Sequence, residues 1–140
     1  MTQIDFYTRV EDRLHTACRI AAKARAHGLR VTLYCPDGES SARLDRLLWS
    51  LPPTGFLPHC DRDHRLAAVT PVIIDASLGN PIHDELLINL HDEWPAAFSR
   101  FQRLAEIVST GERDRERARE RYKFYRDRGY DIRTHDLSAA

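Results

Sequence analysis

The sequence predicts an α/β fold: one domain over residues 1–140, with a mostly parallel central sheet flanked by helices. Three observations carry this. Short apolar runs of strand length alternate with stretches whose apolar residues recur at helical spacing. The first strand, helix and strand are joined tightly, which implies a right-handed parallel crossover. The 140 residues, 42% apolar and 30% charged, match one ordinary core that buries roughly two-thirds of the unfolded surface.

In chain order, Ile4 to Tyr7 is the first strand. The helix from about Glu11 to His27 carries Leu14, Ala17, Cys18, Ala21 and Ala24 at helical spacing, its alanines suited to close packing on a sheet, and Gly28 ends it. Arg30 to Cys35 is a second strand, and Pro36-Asp37-Gly38 turns the chain. A second helix starts near Ser40 or Ser41, either of which can cap it, and runs to about Leu51 before Pro52-Pro53 stops it. Leu44, Leu47, Leu48 and Leu51 form its core stripe. Trp49 lies about 140° from Leu44, off that stripe; it either packs against the loop Pro52 to His59, which carries Phe56, or faces a partner.

The run Val72-Ile73-Ile74-Asp75, within Leu66 to Ser77, is a third strand and Leu86 to Leu90 a fourth. Asp92 precedes Trp94-Pro95, a helix start with proline near the first turn, and that short helix ends around Phe101. Leu104 to Val108 reads as a further strand or as a continuation of that helix. Arg115 to Tyr130 is the closing helix: no proline interrupts it, and Gly129 stands where a left-handed C-terminal cap belongs. The segment after Gly129 folds back along the body.

The closing helix also carries the most specific chemistry. Projected at 100° per residue, Arg115, Arg119, Tyr122, Lys123 and Arg126 share roughly a third of the circumference, with Phe124 opposite and Ala118 and Tyr125 on the flank. One reading is a solvated face laced with i,i+3 pairs such as Glu116 with Arg119 or Glu120 with Lys123. The other is a binding stripe: a ring among cations holds an apolar group while the cations take a carboxylate, which captures the acidic end of a peptide.

The bulk properties narrow the partners. A formal charge of zero and a pI near 7.1 argue against duplex binding by overall basicity, so an anionic partner must meet a local patch. Charge is segregated: from Leu66 to Ser99 there is no lysine or arginine, only Asp75, Asp84, Glu85, Asp92 and Glu93. Cys18, Cys35 and Cys60 are odd in number and widely spaced, as reduced thiols are. The start lacks the basic and apolar regions of a signal peptide, and no run approaches the ~18 apolar residues of a membrane span. The expectation is a cytoplasmic protein without membrane contact.

Neither G-x-G-x-x-G nor G-x-x-x-x-G-K-[ST] occurs, so the sheet is expected to be Rossmann-like without a nucleotide site, with no cofactor. His59-Cys60-Asp61-Arg62-Asp63-His64 resembles a ligand cluster, but His83 or His91 would have to close it; an exposed polar loop is expected instead of a metal site. Asp5, Asp75 and Asp84 fit strand-end carboxylates, yet no nucleophile or orienting partner accompanies them, and no catalytic residue is expected.

The run Ala118-Arg119-Glu120-Arg121-Tyr122-Lys123, then Tyr125-Arg126 and Gly129-Tyr130, resembles the C-terminal signature of the chi subunit of bacterial DNA polymerase III. Arg43-Leu44-Asp45 through Leu48-Trp49, Phe56-Leu57-Pro58-His59 and the opening Asp5-Phe6-Tyr7 agree with it, so the resemblance spans nearly the whole chain. It implies a non-enzymatic accessory subunit associated with the clamp loader. It also implies that Arg119, Tyr122 and Lys123, with Arg115 and Thr134, receive the acidic C-terminal tail of single-stranded DNA-binding protein. Trp49 and Phe56 would receive the psi subunit or a substitute partner. The loop after His59 departs from better-known members in being short and charged. The competing classes are a nucleotide-using enzyme with a degenerate phosphate loop and a direct single-stranded nucleic-acid binder using the arginine helix; tight direct nucleic-acid binding is not expected.

Overall fold

The two periodicities of the sequence, two residues in the apolar runs and 3.6 between them, become a single parallel sheet with helices on both faces. The computed structural model of the chain describes residues 1–35, 37–50 and 57–138. In chain order its elements are β1 (Gln3–Val10), α1 (Arg13–Ala26), β2 (Val31–Tyr34), α2 (Gly38–Ser50), β3 (His59–Asp61), β4 (Val72–Asp75), β5 (Leu86–Asn89), β6 (Arg103–Ser109), α3 (Glu112–Asp127) and β7 (Ile132–Asp136). The strands lie in the order β3-β4-β2-β5-β6-β1-β7, and every neighbouring pair is parallel. The expected fold class is therefore the observed one. The first crossover does not join neighbours, because β5 and β6 lie between β1 and β2.

Alternation along the strands divides the core between two faces. Val31, Leu33, Val72, Ile74, Leu86, Ile88, Ala105 and Ile107 pack with Ala17, Cys18, Ala21 and Ala24 of α1 and Leu44 and Leu48 of α2. Ile4, Phe6, Leu87, Leu104 and Val108 pack on the other face with Ala118 and Tyr125 of α3 and with Phe98 and Phe101. Leu44 and Leu48 are wholly buried; truncating either to alanine should cost about 2–5 kcal/mol. Leu51, Pro52, Pro53 and Phe56 lie outside the described residues, as does Pro36.

Several boundaries differ from expectation. Asp37, not Ser40 or Ser41, caps α2: its Oδ1 accepts the Ser40 N–H at 2.7 Å, while the Ser41 hydroxyl donates to the Cys35 carbonyl at 3.2 Å. The helix expected after Trp94 is turns ending in a 3-10 segment at Phe98–Arg100; a single apolar turn with Pro95 inside it does not outweigh the helix-nucleation cost. Leu104 to Val108 is strand, the core of β6. His59–Asp61, expected to be loop, is a three-residue edge strand, too short and polar for alternation to reveal. The fold-back after Gly129 is β7, an edge strand beside β1.

Helix α3 begins at Glu112, three residues before expectation, with Glu112 and Asp114 in its first turn, where acidic groups suit the helix dipole. Gly129, at φ 82°, closes it. The Gly129 N–H donates to Arg126 O at 3.0 Å and the Tyr130 N–H to Tyr125 O at 3.2 Å, the paired bonds of a Schellman cap. Ala118, Arg121 and Tyr125 are its buried residues. Phe124, expected opposite the basic stripe, is only half-buried: it lies between the Trp94 ring, stacked at 3.9 Å, and the Arg128 guanidinium at 3.5 Å. The helix rolled toward its flank because Glu106, on the sheet below, needs donors. No helix among the described residues is long and apolar enough to cross a membrane.

Candidate functional site

The anchoring of α3 sets the site. Glu106 of β6 is wholly buried and accepts Arg121 Nε at 2.9 Å, the Tyr125 hydroxyl at 2.6 Å and Asn89 Nδ2 at 3.1 Å. Arg121 Nη1 donates to the Asp92 carbonyl at 2.7 Å. Burial pushes the Glu106 carboxyl up, against the pull of Arg121, Tyr125 and Asn89; burial and then Glu106 raise the Tyr125 phenol, which stays a donor. An arginine at 0% exposure was not legible in the sequence, where arginine is among the residues least often buried.

With Arg121 and Tyr125 turned down, Arg115, Ala118, Arg119 and Tyr122 form one wall of a cleft of about 340 Å³ whose other residues are Phe6, Thr8, Arg9, Val108, Ser109 and Thr134. The buried Phe6, Val108 and Ala118 supply apolar surface. Tyr122, 37% exposed, stands edge-on to Phe6 at 5.4 Å. Arg9, Arg115 and Arg119 are cationic, and no carboxylate is among the lining residues. The expected residues Arg115, Arg119, Tyr122 and Thr134 are thus brought together. Lys123 is exposed and is not in the lining: the cleft takes the side of the stripe nearest Ala118, and Lys123 is turned about 140° from Ala118 toward water. Strand residues Phe6, Thr8, Arg9, Val108 and Ser109 were missed as cleft residues; only the opening Asp5-Phe6-Tyr7 hinted at them.

At the far side of the sheet, Trp49 is 58% exposed and stands edge-on to His59 of β3 at 5.2 Å. His59 is held in turn by Asp45 Oδ1 at 3.0 Å and the Leu57 carbonyl at 2.6 Å. Phe56, the expected companion of Trp49, lies outside the described residues. The His59 to His64 cluster is occupied locally: Asp61 Oδ1 accepts the Asp63 N–H and His64 Nδ1 the Leu66 N–H. Among the described residues no group of three or more metal-ligating side chains is placed to hold an ion. Asp75 caps its own turn, accepting from Ser77 and Leu78 N–H, and Asp5 accepts from His135 Nε2 at 2.9 Å if that nitrogen is protonated. The thiols are free, and burial pushes Cys18 to about 12.

A second cleft, about 520 Å³, lies at the carboxyl edge of the sheet among Glu11, Asp12, Arg13, Asp37, Arg43 and Asp92. It does not suit a phosphate. The helix N-termini that would cradle one already carry carboxylates: Asp12 accepts the Leu14 and His15 N–H groups and Asp37 that of Ser40. Its arginines are engaged, Arg43 with Asp12 and Arg13 with Asp114 at 3.5 Å.

A family model described as DNA polymerase III chi subunit, HolC, matches residues 1–133. A Pseudomonas aeruginosa protein named DNA polymerase III subunit chi is 37% identical over 141 residues, covering 98% of each chain. Proteins of the same name from Escherichia coli and Haemophilus influenzae are 30% and 31% identical, covering 95% and 86% of this chain and 89% and 85% of their own.

Proposed function

The chain belongs to the DNA polymerase III chi subunit family, and from that premise we propose that it is a non-catalytic, clamp-loader-associated accessory subunit of the cytoplasmic replicase. It binds the acidic C-terminal tail of single-stranded DNA-binding protein in the α3 cleft and is linked to the replicase by psi, or a substitute partner, at Trp49. The observation that carries this reading is the cleft itself, in which apolar surface from Phe6, Val108 and Ala118 adjoins Arg9, Arg115 and Arg119 and no lining residue is a carboxylate. A peptide that ends in an apolar residue and a carboxylate has the complementary pattern. Exposed ion pairs contribute only ~0.2–1 kcal/mol each, so the apolar pocket and carboxylate capture provide specificity while the remaining cations steer encounter. Carboxylates already seated at both helix N-termini of the second cleft support the absence of nucleotide chemistry.

The test is a titration of a labelled acidic tail peptide against wild type, Tyr122→Ala and Arg119→Glu, with circular dichroism to establish folding. Both variants should lose most binding, and Lys123→Ala should lose little. Wild-type affinity in Tyr122→Ala and Arg119→Glu would end this reading. Full-length and tailless single-stranded DNA-binding protein separate tail capture from direct nucleic-acid binding, since only a direct binder is indifferent to the tail.

A further inference from the structure

Arg9 has a left-handed backbone, φ 58°, a conformation uncommon for any residue but glycine, asparagine or aspartate. It sits where β1 slips against β6: Tyr7 faces Ile107 and Val10 faces Ser109, so Thr8 and Arg9 together stand opposite Val108. This is a β-bulge, and its effect is to re-aim a side chain. In strict alternation Arg9 would share a face with Asp5 and Tyr7, away from α3. Instead both Thr8 and Arg9 line the α3 cleft. The bulge thereby sets an arginine from β1 beside Arg115 and Arg119 of α3.

Arg9 already meets a carboxylate. Its Nη1 is 3.5 Å from Oδ2 of Asp136, the last residue of β7, and both side chains are exposed. The other Asp136 oxygen accepts the Ser138 N–H at 2.9 Å, so Asp136 keeps a partner when Arg9 leaves it. We infer that Arg9 is a third carboxylate-binding residue of the cleft, aimed by the bulge, and that Asp136 is the internal acid an incoming acidic peptide displaces from it. The inference rests on the reading of the cleft as an acidic-peptide site. The exchange breaks one solvent-exposed ion pair and forms another, so it changes affinity modestly while favouring peptides with a carboxylate upstream of their end.

The experiment is fluorescence-anisotropy titration of an acidic peptide with an apolar C-terminal residue against the whole chain. Arg9→Gly should weaken binding about fivefold without lowering the melting temperature, because glycine adopts the bulge conformation without strain. Arg9→Lys should retain most of the affinity. Asp136→Asn should tighten binding about twofold or more, and should have no effect in the Arg9→Gly background. If Tyr122→Ala abolishes binding while Arg9→Gly leaves it unchanged, the role of Arg9 is wrong and the cleft reading stands. If Asp136→Asn weakens binding, Asp136 is not a competing acid. A wild-type chain that does not bind the peptide overturns both the reading and this inference.

Discussion

At the residue scale, buried titratable groups give the sharpest predictions. His83 is buried, its Nδ1 has no hydrogen-bond partner among the described residues and its Nε2 lies 3.4 Å from the Thr32 hydroxyl. Burial, and then the Arg30 guanidinium, hold this imidazole below its ordinary value. The unfolded chain takes up that proton first as pH falls. The stability His83 contributes is therefore whole above about pH 6.5 and is lost as pH drops toward its folded value. Between about pH 7 and pH 5 the melting temperature of wild type should fall more steeply than that of His83→Gln; parallel curves would rule the histidine out. Gly129, at φ 82°, belongs to the same scale: Gly129→Ala should cost about 1 kcal/mol in a urea melt, because the Schellman cap requires that backbone.

At the scale of the element, α3 is held by hydrogen bonds among Glu106, Arg121 and Tyr125 as well as by apolar contact. Removing one member of a buried pair strands the other, so Arg121→Leu should destabilise the chain by about 3–5 kcal/mol. Replacing both charges removes the stranded group, and Glu106→Leu with Arg121→Leu should recover much of that loss. Chemical denaturation of the two variants decides it; a double variant no more stable than the single would mean that packing, not charge, holds the helix. Arg119 and Tyr122 reach the cleft only because Arg121 and Tyr125 point down. The signature thus interleaves anchoring residues with residues that face the cleft.

At the scale of the molecule, the α3 cleft and Trp49 lie at opposite edges of the sheet, beside β7 and β3, about 30 Å apart at the usual strand spacing. Sites so separated should act independently. Trp49→Ala is expected to weaken the proposed psi contact by about thirtyfold and leave the proposed peptide binding untouched, while Tyr122→Ala should do the reverse; a three-component binding assay would show coupling if either expectation is wrong. Salt should also separate them. At about 0.1 M the Debye length is about 10 Å, so raising salt severalfold should weaken the proposed peptide contact and barely alter the one proposed at Trp49.

The sequence by itself determined the parallel α/β class, most strands, all three helices and the basic aromatic stripe, because each is written in local periodicity and capping residues. Even the residues of one cleft wall, Arg115, Arg119 and Tyr122, were legible, since they recur on one helical face. Tertiary structure decided what local pattern does not encode. The cleft joins β1, β6, α3 and β7, segments up to a chain length apart, so Phe6 and Val108 carry no local sign of meeting Tyr122. Strand β3 is too short to alternate. Arg121 went inward because a buried carboxylate on β6 required a cation, and Arg9 turned toward the cleft because the β1 register slips by one residue. In both cases the side chain's direction was set by a partner strand that lies outside the helix or strand to which the arginine belongs.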